Sequence, residues 1–581
     1  LTNFFYRRIK RLLPALLVFC LITAILITFL IPSPRFAHIT GITGILGFSN
    51  LYLLSGSTDY FATEAILNPF THTWSLDVEE QFYLIFPFLI WFSGFGRQKY
   101  LGKRNLLNLM LFLSSLSLIL YVFLTINYPI ASYYLMPSRF WEMGAGSILF
   151  LLYKSKNFLI SRISNIPPSL SLTLISVIMF LPKNNLSLST ISVVILTIAL
   201  ILSLKEETFI FKILNLRVVN HLGLISYSLY LWHWAILSIS AWTIGIHWWT
   251  IPFQYGIMYV ISFLSYKYIE KPFRGNNIFV KKWKLFVSSV LMVFGSISFM
   301  AILSLKLKDY IFLGNKSLSD NYSEKVLWDY DNCSISSRGL KVPNFEAFNN
   351  CWFRNNFSKF SADKKKQIFF YGSSYNQHLM PIPAEISKKS DEFKFNSFAA
   401  TGCIATLDLD YSKGNNEYCN KVFRKYFEFF KENSNSGDQL VILNSYNSFI
   451  NNEDLLVKYL EELENINSYF DANNLKLIVV SPIPSIKSNP TICSSWYSKY
   501  NNQCDFDKIL DTSGHNSLKK INKKLTKLED KGVVFINLFI ELENKLLSKD
   551  KDTFLFFYNK SHLSKTGAKF FTEKFEKIFS N

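Results

Sequence analysis

No C-x2-C pair occurs among the seven cysteines, and only Cys20 lies in the first half of the chain. That absence argues against a zinc ribbon or finger. Charge is sparse too: 18% of the 581 residues are charged, against 50% hydrophobic and 17% aromatic, too apolar for a wholly soluble protein of this length. No basic patch interleaved with base-stacking aromatics stands out, so the net charge of +19 does not mark a nucleic-acid binder. Much of that charge falls in short loops between apolar runs, where it sets membrane topology through the positive-inside rule. Neither a starting methionine nor a signal peptide precedes Leu1. The first residues already form a basic anchor, and the chain is expected to be an N-terminal truncation.

What is present is unevenly placed. Long apolar runs fill residues 12–305, and the remainder alternates short apolar runs with Lys, Asn, Ser and Asp. The expected organisation is a polytopic α-helical membrane domain over 1–305, a polar linker over 306–360 and an exported α/β domain over 361–581. Apolar runs lie at 12–31, 39–54, 84–95, 106–126, 140–152, 170–181, 191–204, 222–239, 251–268 and 285–305. Several fall short of the roughly 20 residues a span needs, so their flanks must contribute. If the collar Arg7, Arg8, Lys10 and Arg11 is cytoplasmic and every run crosses, the basic loop 96–104 falls outside, against the charge rule. Letting 39–54 re-enter removes the conflict, leaving about nine crossings. The loops 154–162, 205–217 and 271–284 then lie in the cytoplasm, and everything after Leu305 is exported.

The stretch HTWSLDVEEQFY, residues 72–83, places His72, Asp77, Glu79 and Glu80 at the mouth of a span. Ionisable groups at such depth cost roughly 2.5–3.5 kcal/mol each and usually face a bundle interior or a wet cavity. An ordinary charged helix cap at a bilayer surface is the plainer reading. HTWSLD also fits the H-x4-D pattern of glycerolipid acyltransferases, which has only two fixed positions. Taken whole, the dodecamer resembles the HTWSL-x-VEEQFY signature of the acyltransferase-3 family, in which the place of Asp77 is commonly not acidic. Further segments resemble that family in the same order. FFYRRIKRLLP carries Arg7, Arg8 and Arg11, and SRFWEMGAG carries Arg139 and Glu142 at i, i+3 on one helix face. GLISYSLYLWHW carries Ser226, Tyr227, Tyr230 and His233, with Ala235 where the family has proline, and YKYIEKPFR carries Glu270 and Arg274. The resemblance implies an acyl-transfer site formed by His72, Glu79, Glu80, Arg7, Arg8, Arg11, Arg139 and Glu142, with acetyl-CoA as donor and no metal. The family's opening span, with an arginine or lysine before a histidine, and its V-D-x-F-F-V-x-S-G segment do not occur in this sequence. Two further spans would bring the total to about eleven.

In the second half, strands are expected at 367–371, 393–398, 439–443, 475–480 and 533–538. They alternate with helices whose apolar residues recur every three or four positions, such as Leu455, Leu456, Tyr459, Leu460 and Leu463, then Leu518, Ile521, Leu525 and Leu528. That alternation predicts a parallel sheet covered on both faces, with a site beyond the carboxyl ends of the strands. Six cysteines fall here, an even set that points to disulfides in an oxidising compartment. Sequence-adjacent pairing (333–351, 403–419, 493–504) is one of fifteen possible connectivities.

IFFYGSSYNQHL and YNKSHLSKTGAKFF resemble the G-D-S and D-x-x-H blocks of SGNH/GDSL esterases, a flavodoxin-like three-layer fold often fused to acyltransferase-3 domains. The resemblance implies Ser374 as nucleophile, His562 as general base, and an oxyanion hole formed by the amides of Ser374 and Gly402 with Asn444. Ser373 stands where that family has aspartate, Tyr375 where the fused forms have histidine, and Asn559 where the triad aspartate belongs. His378 is expected to pack locally and His515 to lie on the surface. Together the two resemblances imply an O-acetyltransferase in the bacterial inner membrane. It would act on lipopolysaccharide O-antigen, peptidoglycan or another surface polysaccharide, with the bilayer and the glycan as partners. The alternatives are a catalytically decayed glycan-binding scaffold and a glycan transporter.

Overall fold

Runs such as IFFYG, VIL and LIVV have no polar side to show to water, so they form strands only where helices cover both faces of the sheet. In the computed structural model they do. It describes residues 2–56, 65–153, 162–182, 186–275, 282–315, 333–336, 342–352, 365–409, 416–450, 452–501, 504–510 and 513–581. The chain divides into two units. One comprises Leu1–Phe29, Pro34–Ala241 and Ile246–Ile311, the other Phe312–Asn581 with the short stretches Leu30–Ser33 and Trp242–Gly245.

The second unit is built on six parallel strands: β1 (Ser334–Ser336), β2 (Lys366–Gly372), β3 (Phe393–Thr401), β4 (Gln439–Leu443), β5 (Lys476–Val480) and β6 (Val534–Ile536). They lie in the order β1-β3-β2-β4-β5-β6. Phe369, Phe370 and Tyr371 are fully buried, and each such side chain contributes roughly 1.5–3 kcal/mol by leaving water. From β2 the chain turns to β3 on one side and then crosses back to β4 on the other. The crevice of such a sheet opens where the direction reverses, between the carboxyl ends of β2 and β4.

Two expectations need correcting here. Residues 333–352, assigned by sequence to the linker, belong in part to the sheet. Cys333 is bonded to Cys351, β1 pairs with β3, and the helix Phe345–Asn349 buries Phe348 in the core. A three-residue strand is too short to show a period, which is why it escapes sequence reading. His515 is not on the surface but buried in the helix Ser513–Leu525. It shares the inward face with Leu518, Asn522 and Leu525, stacks on Phe539, and bonds Glu543 at 3.0 Å, which also holds Lys519 at 2.8 Å. The cysteines pair 333–351, 403–419 and 493–504.

In the first unit, four helices among the described residues are long and apolar enough to cross a membrane: Asn3–Leu30, Leu101–Asn127, Arg217–Trp242 and Trp283–Leu307. Large apolar side chains such as Phe92, Phe112 and Ile119 face outward, as lipid-facing residues do. The run at 39–54 is split into helices Arg35–Ile45 and Ser49–Gly56 by a turn at Gly47, whose φ of 80° favours glycine. Neither piece is long enough to span by itself. Residues 154–161 and 276–281, assigned to cytoplasmic loops, lie outside the described residues, as do 316–332, 337–341 and 353–360 of the expected linker and 361–364 of the exported domain.

Candidate active site

β2 delivers its last residue, Gly372, hard against β4. A Cβ on Gly372 would lie 1.9 Å from the Leu443 carbonyl oxygen, so no other residue fits without parting the strands. The ladder continues one step as the Ser373 amide donates to that carbonyl at 2.9 Å. The chain then breaks into a short helix, Ser374–Leu379, and Ser373 caps it by accepting from the Tyr375 amide at 3.4 Å. Capping is the work Ser373 does where esterases of this kind have aspartate. Ser374 is thus held at the crevice mouth, buried, on the first turn of a helix.

His562 arrives from a tight hairpin, closed by a bridge between Phe557 and Leu563 and by the Tyr558 amide donating to the His562 carbonyl at 2.8 Å. Inside it, Asn559 Oδ1 accepts from the amides of Ser561 and His562, both at 3.0 Å. An amide N–H can only donate, so the Asn559 atom facing it must be the oxygen. That same oxygen lies 2.9 Å from His562 Nδ1, which must therefore carry the ring proton. Nε2 is left bare and accepts from the Ser374 hydroxyl at 2.8 Å. The arrangement is a Ser–His–Asn relay with the tautomer needed to take the serine proton. Burial holds the His562 pKa well below its ordinary value, with neighbouring His378 adding to the shift, so the imidazole is neutral.

Gly402 follows β3 in a turn closed by the Cys403 amide donating to the Ala400 carbonyl at 2.9 Å, and its φ of 81° is the positive value that turn needs. Asn444 follows β4 across the crevice. Its Oδ1 accepts from the Ala405 amide at 2.9 Å, and its Nδ2 donates to the Tyr459 hydroxyl. An Nδ2 carries two hydrogens, so this bond leaves one for a substrate oxygen. Glu462 holds the loop after Gly402 through the Thr406 hydroxyl and the Leu407 amide, and burial raises its pKa. Sequence reading missed Tyr459 and Glu462. Tyr459 lies on the buried face of the helix Glu453–Ala472 and Glu462 is half-buried three residues on, and nothing in their spacing points to a loop so distant in sequence.

In the other unit the dodecamer is helical from Thr73, with His72 as the helix cap. Asp77 accepts from the Ser49 amide and hydroxyl at the start of the helix Ser49–Gly56. That placement gives the H-x4-D match a structural explanation. Glu80 pairs with Arg8, whose Nε lies 3.0 Å from both carboxylate oxygens and whose guanidinium covers the Tyr83 ring at 3.5 Å. Arg7, Arg11 and Glu79 are exposed. Arg139 pairs with Glu142 at 3.0 Å and lies over Trp74 at 5.0 Å. The His72 ring lies 5.3 Å from Tyr230 and 5.4 Å from His233. The Tyr230 hydroxyl donates to the His72 carbonyl at 2.7 Å, and His233 Nδ1 is spent on the Tyr230 carbonyl at 2.6 Å. Ser228 joins the closing motif by donating to Glu270 at 3.2 Å, and the Tyr227 hydroxyl donates to the Leu12 carbonyl at 3.0 Å. Segments far apart in sequence are thus brought together in two clusters, Arg8–Glu80–Tyr83 and His72–Tyr230–His233.

Comparison with protein families gives two matches. The model described as an acyltransferase domain covers residues 1–305, more than half of the chain, and that described as an SGNH domain (fused to AT3 domains) covers 333–577. The chain belongs to the acyltransferase-3 family. It is 28% identical over 365 residues to a candidate O-acetyltransferase of Staphylococcus aureus (strain MRSA252), covering 56% of this chain and 58% of that one. It is 25% identical over 369 residues to the peptidoglycan O-acetyltransferase OatA of Listeria monocytogenes serovar 1/2a, covering 56% of each. The chain therefore spans less than two thirds of the length of these curated relatives. Among solved structures, the periplasmic domain of a lipopolysaccharide acetyltransferase of Salmonella ser. Paratyphi A matches 44% of this chain and 94% of that one, at 14% identity and a TM-score of 0.30. This acyltransferase-3 protein is a membrane protein carrying an SGNH domain, and its family implies an acyl donor. Among the described residues no cluster of His, Cys, Asp and Glu is arranged to hold a metal ion.

Proposed function

We propose that this protein is a membrane O-acetyltransferase of a surface polysaccharide such as peptidoglycan or lipopolysaccharide O-antigen, with residues 1–305 as its membrane domain and 361–581 as the core of its exported domain. The bond from Ser374 to a correctly tautomeric His562 carries the reading. Acetyl-CoA supplies the acyl group at the cytoplasmic face. The exposed Arg7 and Arg11 suit its phosphates, and Glu79, Glu80, His72, Arg139 and Glu142 line the membrane-domain transfer site. In the exported domain Ser374 Oγ attacks the acyl carbonyl and passes its proton to His562 Nε2. The amides of Ser374 and Gly402, with Asn444 Nδ2, receive the oxyanion. The carbonyl re-forms as the carrier leaves with the proton from His562. A sugar hydroxyl then attacks the acyl-Ser374 ester as His562 takes its proton, and His562 returns that proton to Ser374 Oγ as the acetylated sugar departs.

Asn559 favours one rival, a decayed domain that binds glycan without chemistry. Mass spectrometry of the host's surface glycan separates the two. A gene deletion should lose acetate, the intact gene should restore it, and Ser374→Ala should not. Equal restoration by Ser374→Ala would confine the exported domain to binding.

A further inference from the structure

A triad carboxylate steadies the imidazolium that forms when histidine takes the serine proton, and Asn559 brings no charge to that task. Two rings on the nucleophile's own helix lie against His562. The Tyr375 centroid is 4.8 Å from that of His562, tilted by 39°, and the His378 centroid is 4.5 Å away, tilted by 42°. Tyr558 lies behind His378 at 5.1 Å. The titratable rings that lie against His562 thus include Tyr375 and His378 of the Ser374 helix, with Tyr558 of the hairpin packed on His378. His378 gives its Nδ1 hydrogen to the Leu563 carbonyl at 2.8 Å, and burial pushes its pKa down to about 4, so it is neutral at physiological pH and supplies no stabilising charge. The phenol ring differs: its face is electron-rich, lies within the roughly 6 Å over which a cation is attracted to a ring, and is shielded from water.

We propose that Tyr375 stands in for the missing triad carboxylate, its ring stabilising the His562 imidazolium by cation–π attraction. His378 fixes the hairpin beside it by holding Leu563. Tyr375 is thus a positioning residue that acts through His562, and the inference rests on Ser374 being the nucleophile. At a desolvated site such an attraction corresponds to a roughly tenfold to thirtyfold effect on a step that forms the cation.

The test uses the full-length protein in detergent and a biotinylated fluorophosphonate. Ser374 Oγ would form a bond to phosphorus as the P–F bond breaks, fluoride would leave, and the serine proton would pass to His562 Nε2. The second-order rate of labelling, located on Ser374 by mass spectrometry, is compared among variants. Tyr375→Phe keeps the ring and should stay within about twofold of the parent, whereas Tyr375→Leu should lose about tenfold or more. In the Asn559→Asp background a true charge is present, so adding Tyr375→Leu should cost no more than about twofold. An equal loss from Tyr375→Leu in both backgrounds would mean packing alone, and an equal loss from Phe and Leu would mean the hydroxyl; either overturns the proposal. A parent protein left unlabelled at Ser374 overturns the nucleophile assignment, and this inference with it.

Discussion

Replacing Asn559 with aspartate asks how much of this site's reactivity is limited by charge. The swap is nearly free of steric consequence. Among the described residues Oδ1 carries the contacts, accepting from His562 Nδ1 at 2.9 Å, from the amides of Ser561 and His562 at 3.0 Å and from the Ser561 hydroxyl at 3.5 Å, and a carboxylate accepts all four. In serine proteases the opposite swap costs about 10⁴ in kcat, much of it because the histidine adopts the wrong tautomer. Here the tautomer is already right, so only the electrostatic part is at stake. Two unit charges about 4 Å apart attract by about 4 kcal/mol at an effective dielectric near 20. Asn559 is half-buried, so partial desolvation of the new carboxylate and solvent screening both reduce that figure. A net gain of about 1.5–3 kcal/mol remains, or roughly tenfold to a hundredfold in the acylation rate. The assay is fluorophosphonate labelling of Ser374 as a function of pH. A carboxylate at Nδ1 favours the protonated ring, so the His562 pKa rises from its depressed position and the rising limb of the profile moves to higher pH while the plateau increases. An unchanged or lower plateau, with the fold intact, would refute the view that missing charge limits this site.

Gly372→Ala would drive a methyl group into the Leu443 carbonyl and should cost more than about 2 kcal/mol, read as a lower thermal midpoint together with loss of Ser374 labelling. His378, whose folded pKa lies near 4 against an unfolded value near 6.5, binds its proton first in the unfolded chain. Stability from its neutral burial is therefore complete above about pH 6.5 and falls by up to about 3 kcal/mol as the pH drops towards 4, a slope that His378→Gln should flatten in denaturant titrations. His515, lowered by burial despite its contact with Glu543, adds in the same direction. In the membrane domain, Asp77→Asn should leave glycan acetylation within a few-fold of the parent, because Asp77 holds Ser49. Loss of acetylation without loss of protein in the membrane would restore the H-x4-D reading.

What could be read ahead of the structure was whatever repeats locally. β2, β4 and β5 stand within a residue or two of their expected limits, because strands buried on both faces must be continuous apolar runs, and such runs are visible wherever they occur. Arg139 and Glu142 meet because an i, i+3 spacing leaves them no choice on a helix. Asn559 reaches His562 by the same kind of logic, three residues apart within one hairpin. Contacts set by tertiary packing carry no such mark. Arg8 and Glu80 are 72 positions apart, and neither flank shows that their helices touch. His378 was expected to pack locally because its nearest functional neighbour in sequence is Ser374, yet its ring lies on His562 and its proton goes to Leu563, 185 positions away. His515 escaped for the converse reason: a histidine beside glycine in a polar stretch has the composition of a loop, and only the helical phase of Leu518 and Leu525 turns it inward. The departures from the SGNH pattern at Ser373, Tyr375 and Asn559 were legible as departures but not as a set. Ser373 keeps the Ser374 helix capped, Asn559 keeps the tautomer, and the Tyr375 ring lies on the imidazole. A site losing its function has no reason to retain a buried serine within 2.8 Å of a bare imidazole nitrogen, and that geometry weighs against decay more than the missing aspartates weigh for it.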